Sequence, residues 1–104
     1  MPRFPHPRHG DAFVAFGRAV REMRVRRGFS QESLGVSADL HRNYVGAIER
    51  GEINPTLRVI RKLARALTMR ASELLALSEE RERELHTDAE ARARGGSATR
   101  SPDS

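Results

Sequence analysis

Cysteine is absent from all 104 residues, which excludes a disulfide framework and any Cys-based metal site. No apolar run approaches the roughly 20 residues that a membrane span needs. The leading MPRFPHPRHG lacks the apolar stretch of a secretory signal. A soluble, cytoplasmic protein with no membrane partner is therefore expected. Aromatic residues make up only 5% of the chain, whereas an RNA reader would need several on an exposed face for base stacking. Only Tyr44 is a candidate, and it falls at the border of a helix face. Catalytic constellations are missing as well. His41 and Glu49 stand too far apart for an acid–base pair, and no Ser-His-Asp order, phosphate loop or metal-ligand spacing occurs. His6 and His9 lie in a proline-rich stretch and are read as incidental. These absences predict no enzyme, no cofactor and no metal.

What is present is positive charge, unevenly spread. Residues 1–70 hold 14 basic and 6 acidic side chains, a net of +8, while residues 71–104 hold 5 and 8, a net of −3. The basic charge thus sits on the part that reads as folded, the electrostatic footprint of a nucleic-acid binder. Lys62 is the only lysine. The Arg bias has a compositional reading too, that of a GC-rich genome.

Along the chain, residues 1–10 hold three prolines and show no periodicity, so a flexible basic arm is expected there. Asp11 is placed to cap a first helix, in which Phe13, Phe16, Val20 and Met23 recur at helical spacing. Gly28 stops it. Ser30 then caps a short second helix running to about Ala38, with Leu34 and Ala38 on its inner face. A break at Asp39–Leu40 leads to a third helix from about His41 to Glu49 or Arg50, stopped by Gly51. Asp at the break tolerates a left-handed turn. Asn54-Pro55-Thr56 opens a fourth helix, and a short fifth follows around Leu74, Leu75 and Leu77. The fold class expected is all-α, a compact five-helix domain over residues 11–77. Its core is expected to hold Phe16, Val20, Phe29, Leu34, Val45, Ile48, Leu57, Ile60, Leu63, Leu67 and Leu74. Residues 78–104 are expected to form a charged tail, partly helical through its Glu/Arg pairs and disordered toward the end.

Two short helices joined by a tight turn form the centre of the chain. On the third, Val45 and Ile48 point one way, while Arg42, Asn43, Gly46, Ala47 and Arg50 point the other. That second face is polar at its start and small in its middle, which suits a helix lying in a DNA major groove, where its first residues touch base edges. Arg42 suits guanine and Asn43 suits adenine.

Several motifs here resemble the Xre family, the bacterial helix-turn-helix regulators of phage Cro and lambda-repressor type. They are Arg21 and Arg24 as R-x-x-R, GFSQESL at 28–34, LHRNYVGAIERG at 40–51, NPT at 54–56 and the L-x-x-I-x-x-L-A-x-A-L pattern at 57–67. HRNYVGAIERG is especially similar to restriction–modification controller proteins. The resemblance implies a lambda-repressor-like fold and a transcription regulator, repressor or autoregulator, whose partner is double-stranded DNA. It implies base reading by Arg42, Asn43, Gly46 and Ala47, and phosphate binding by Ser30, Gln31, Tyr44, Arg50 and Asn54. It also implies an Arg24–Glu49 pair tying the first helix to the third. Ser30 and Glu49 have structural readings of equal weight. The chain departs from the family at Asp39, where the turn usually has Gly, and at Gly35, where the second helix usually has Ala. A helical Gly costs about 0.5–1 kcal/mol. The region of Arg70 also lacks the usual Ser cap.

One recognition helix covers too few base pairs to pick a genomic site, so a homodimer on a near-palindromic operator is expected. Leu74, Leu75 and Leu77 are its candidate contact. An antitoxin holding a toxin, or another protein partner, is the rival reading; such proteins often keep this same fold.

Overall fold

The computed structural model describes residues 9–94, which form five α-helices: α1 (His9–Arg26), α2 (Gln31–Ala38), α3 (Arg42–Glu49), α4 (Leu57–Ala66) and α5 (Ala71–Ala93). The expected basic arm, but for its last two residues, and the final ten residues of the expected tail lie outside the described residues. No strand occurs among the described residues, and none of their helices is long and apolar enough to cross a membrane.

Four of the helices end the same way. After α1, the Phe29 amide donates to Arg24 O and the Gly28 amide to Val25 O, both at 3.0 Å, with Gly28 at φ 79°. This pairing satisfies carbonyls that the end of a helix leaves without partners. The pattern recurs with Asp39 (φ 58°), Gly51 (φ 75°) and Thr68 (φ 56°) in the left-handed position. Gly28 and Gly51 take it without steric cost. Asp39 and Thr68 do not, yet each holds it between a buried residue before it and a partly buried one after it.

The core is Phe16, Ala19, Val20, Met23, Leu34, Ala38, Val45, Ile48, Leu63, Ala64, Leu67 and Leu74, with Phe29 and Ile60 partly buried against it. Leu57 corrects the expected core. It is 66% exposed, because as the first residue of α4 it overhangs the layer that Leu63, Ala64 and Leu67 fill. Gly35 is also more than a local weakness. A Cβ there would lie 2.5 Å from Leu40 O, so its bare backbone is what lets the turn close against α2.

Helix α5 differs most from expectation. It starts in the domain and continues unbroken to Ala93, past the expected limit at residue 77. It lies along α1, burying Leu74 and Ser78. Further along, Arg81 Nε and Nη2 donate to the two Glu22 carboxylate oxygens at 2.9 and 3.1 Å. Asp11 does not cap α1; it sits in its first turn, with a carboxylate oxygen 3.8 Å from His86 Nε2.

The hydrogen bond from Arg81 holds the Glu22 carboxyl below its ordinary value of 4.5, and the charges of Arg81 and Arg26 add to this. A carboxylate whose folded value is depressed contributes stability above its unfolded value and loses it as pH falls through the folded one. The distal part of α5 is therefore expected to loosen below about pH 4.5. Arg81→Ala should reproduce this at neutral pH, a half-exposed pair being worth up to about 1 kcal/mol. Amide exchange would then quicken over residues 80–93 and stay slow at Leu63 and Leu67. Uniform exchange across both regions in the variant would refute the idea that the pair pins only this segment.

Candidate nucleic-acid interface

The surface built by α2 and α3 rests on a buried polar junction. Glu49, at the end of α3, has a side chain only 4% exposed. Its carboxylate accepts from Arg24 Nε at 2.6 Å, Arg24 Nη2 at 3.1 Å and Gln31 Nε2 at 3.0 Å. Arg24 also donates to Phe29 O at 2.9 Å. The Glu49 carboxylate thus joins α3 to α1 and to the first residue of α2, while Arg24 ties in the loop between them. With three donors satisfied at once, the angle between α2 and α3 has little freedom.

Gln31 was expected to hold phosphate, and the structure gives one of its amide hydrogens to Glu49. An amide has two, and Gln31 remains part-exposed at the start of α2. Ser30 is the cap of that helix: its Oγ accepts from the Ser33 amide at 2.9 Å, and Ser33 Oγ accepts from the Ser30 amide at 2.8 Å. This reciprocal box satisfies two orphan donors.

Helix α3 enters from His41, whose Nδ1 accepts from the Asn43 amide at 3.0 Å. Arg42 and Asn43 follow in the first turn and are exposed. Arg42 Nη1 lies 3.4 Å from Glu32 Oε1, with both side chains well exposed. Glu32 is a participant that sequence reasoning passed over; only its place in the first turn of α2 hinted at it. Tyr44 is half-buried against the core and Ala47 is partly exposed.

Gly46 stands apart from the other expected base-reading residues. It is buried, and a Cβ there would lie 3.1 Å from Arg50 Nη1 and 3.4 Å from Gln31 Oε1. Its small size makes room for these two side chains to close over the helix; it does not leave a face bare. Arg50 also pairs with Glu52, at 2.9 and 3.2 Å, and that hydrogen bond draws the Glu52 carboxyl below its ordinary range. Asn54 is exposed in the loop that follows. Ser30, Arg42, Asn43, Arg50 and Asn54 are thus exposed and Gln31 partly so, with Gln31 and Arg50 meeting over Gly46. Leu74, a candidate dimer contact, is fully buried in the core and has no surface to offer a second copy; Leu77 is partly buried, and Leu75 is 39% exposed. No group of three or more His, Asp or Glu side chains among the described residues is arranged to hold a metal ion.

Comparison with known proteins agrees with this geometry. Residues 20–74 match the family model HTH_3, described as helix-turn-helix. Control protein C.BamHI of Bacillus amyloliquefaciens is 43% identical over 63 residues, 60% of this chain and 78% of that protein. YgzD of Bacillus subtilis, an uncharacterized HTH-type transcriptional regulator, is 39% identical over 61 residues, 59% of this chain and 92% of its own. The crystal structure of the restriction-modification controller protein C.AhdI from Aeromonas hydrophila superposes with a TM-score of 0.59 at 47% identity, covering 60% of this chain and 94% of that one.

Proposed function

Because this chain belongs to the helix-turn-helix family, which it matches from residue 20 to residue 74, we propose that it is a sequence-specific DNA-binding transcription regulator that lays α3 in the major groove. The observation that carries this is the first turn of α3. Arg42 and Asn43 project there from a backbone held rigid by Glu49, and the sole polar partner of Arg42 among the described residues is the exposed Glu32. An exposed pair of this kind is worth little, so a guanine edge can replace it. Asn43 has the bidentate chemistry for adenine, and Ala47 offers an apolar contact. The free amide hydrogen of Gln31, the hydroxyls of Ser30 and Tyr44, Arg50 and Asn54 supply phosphate contacts that set register without reading sequence. Two copies on a near-palindromic site would place their α3 helices about 34–36 Å apart, with Leu75 and the outer face of α5 as the surface left for the dimer. DNA as partner puts the protein in the cytoplasm, and the role is that of a repressor or autoregulator.

The test compares a duplex recovered by selection from random oligonucleotides with a scrambled one. Arg42→Ala should cost about 1–3 kcal/mol on the selected duplex and little on the scrambled one. Gln31→Ala should weaken both alike. Equal losses for Arg42→Ala on the two duplexes would make Arg42 a phosphate clamp and defeat this account of readout.

A further inference from the structure

Helix α4 carries a charge pattern that the α2–α3 surface does not use. Its ten residues include Arg58, Arg61, Lys62 and Arg65 and no acid. At spacings of i, i+3, i+4 and i+7 these four share one face, and they line a shallow groove with Leu57 at its start. The three arginines are exposed and Lys62 is half-buried. Among the described residues, none of the three arginines takes part in a salt bridge. Lys62 is 3.5 Å from the carboxylate of Asp39.

Like charges at these spacings oppose helix formation, and the core does not require them, since α4 packs through Leu63 and Ala64. An Arg-rich composition does not account for the pattern either. Helix α5 holds seven acids against three arginines, so charge is sorted by helix. The stripe also has a definite location. Lys62 Nζ lies 3.4 Å from Asp39 O, in the turn between α2 and α3. At the other end, Leu57 and Arg58 directly follow the loop that holds Asn54. The stripe thus adjoins the turn between α2 and α3 through Lys62, and the Asn54 loop through its first residues. Arg58 and Arg65 are seven residues apart, about 10 Å of helix, which faces about three phosphates of one strand at one per 3.4 Å of duplex axis.

We propose that Arg58, Arg61 and Arg65 form a second backbone-binding surface, which takes phosphates of the same duplex that α3 reads. This rests on the DNA-binding reading above. Phosphates would relieve the repulsion along α4 and carry no sequence information, so the surface adds affinity to any duplex and discrimination to none. A second copy could not present its own stripe here, since arginine would face arginine. The acidic α5 of a second copy is the competing occupant; adjacency to the helix-turn-helix favours DNA.

The experiment uses the full chain, a triple alanine variant (Arg58→Ala, Arg61→Ala, Arg65→Ala) and a triple lysine variant at the same positions. Alanine is the best helix former, so α4 should persist in both, and circular dichroism checks it. Affinity is measured on selected and scrambled duplexes between roughly 50 and 200 mM salt, with sedimentation of the free protein alongside. The alanine variant should lose tenfold or more on both duplexes at the low end. Its slope of log affinity against log salt should flatten by about 0.9 for each phosphate no longer neutralised. The lysine variant should keep affinity and slope, and sedimentation should not change. An unaltered slope would overturn the proposal and leave the DNA-binding reading standing. Weakened self-association with an unaltered slope would assign the stripe to the α5 of a second copy. A wild-type protein that binds neither duplex would overturn both readings.

Discussion

Glu49→Ala is expected to destabilise the protein by about 3–5 kcal/mol, the cost of removing one partner from a buried ion pair. The carboxylate is 4% exposed and the Arg24 side chain 12%, so water reaches the Arg24 donors poorly once the acceptor is removed. Three N–H donors are left without an acceptor at once, two on Arg24 and one on Gln31, and the guanidinium keeps only Phe29 O. Leaving a buried donor unsatisfied costs more than a hydrogen bond contributes when made. The comparison that isolates the cause is the double variant Arg24→Met/Glu49→Leu. It removes both charges and should recover much of the loss, because buried pairs replaced by apolar groups are often neutral in stability. Urea titration reads the effect as a shifted midpoint at unchanged slope. Should Glu49→Ala unfold at the wild-type midpoint, the junction contributes nothing and the rigidity attributed to α3 has another origin.

Gly17→Ala is expected to cost about 3 kcal/mol, although alanine is the better helix former by about 1 kcal/mol. Gly17 is buried where α1 crosses α3. A Cβ there would lie 2.3 Å from Ile48 O, 2.6 Å from Glu49 O and 2.8 Å from Glu49 C. All three atoms are backbone, so no rotamer change relieves the contact and the helices must separate. Overpacking typically costs about 1–3 kcal/mol, and a clash with rigid backbone belongs at the upper end. Separation would also disturb Glu49 itself and so weaken DNA binding beyond what stability explains. Thermal unfolding of Gly17→Ala beside the wild type reads the effect. Equal melting of Gly17→Ala and wild type would show that α1 and α3 do not approach this closely.

The readable part of this chain is the part governed by local rules. Val45 and Ile48 face the core because three-residue spacing puts them on one side of a helix. Ser30 caps α2 because a hydroxyl there meets free amides. Gly28 and Gly51 end helices because they take positive φ without strain, and all of this follows from neighbours in the chain. Arg42 and Asn43 could be placed at the start of α3 for the same reason.

Where partners are distant in the chain, local rules had nothing to act on. The residues of α5 beyond Leu77 look like a solvated Glu/Arg segment, since little in them is apolar. What keeps them helical is α1, which covers Ser78 and offers Glu22 to Arg81, 59 residues away. Gly46 looks like a cleared surface on a helical wheel; whether it is clear depends on Gln31 and Arg50, which fold over it. Gly17 carries no local signal at all, because its requirement comes from the carbonyls of another helix. Leu57 continues an apolar repeat perfectly well, and only the extent of the core beneath it leaves it in solvent. By itself the sequence determined the helices, their caps and the polar start of α3, since these depend on periodicity and on hydrogen bonds within a few residues. Tertiary structure alone decided how closely the helices approach, which polar groups are already committed to one another and which charges remain free, because each of these depends on atoms that the chain brings together only when folded.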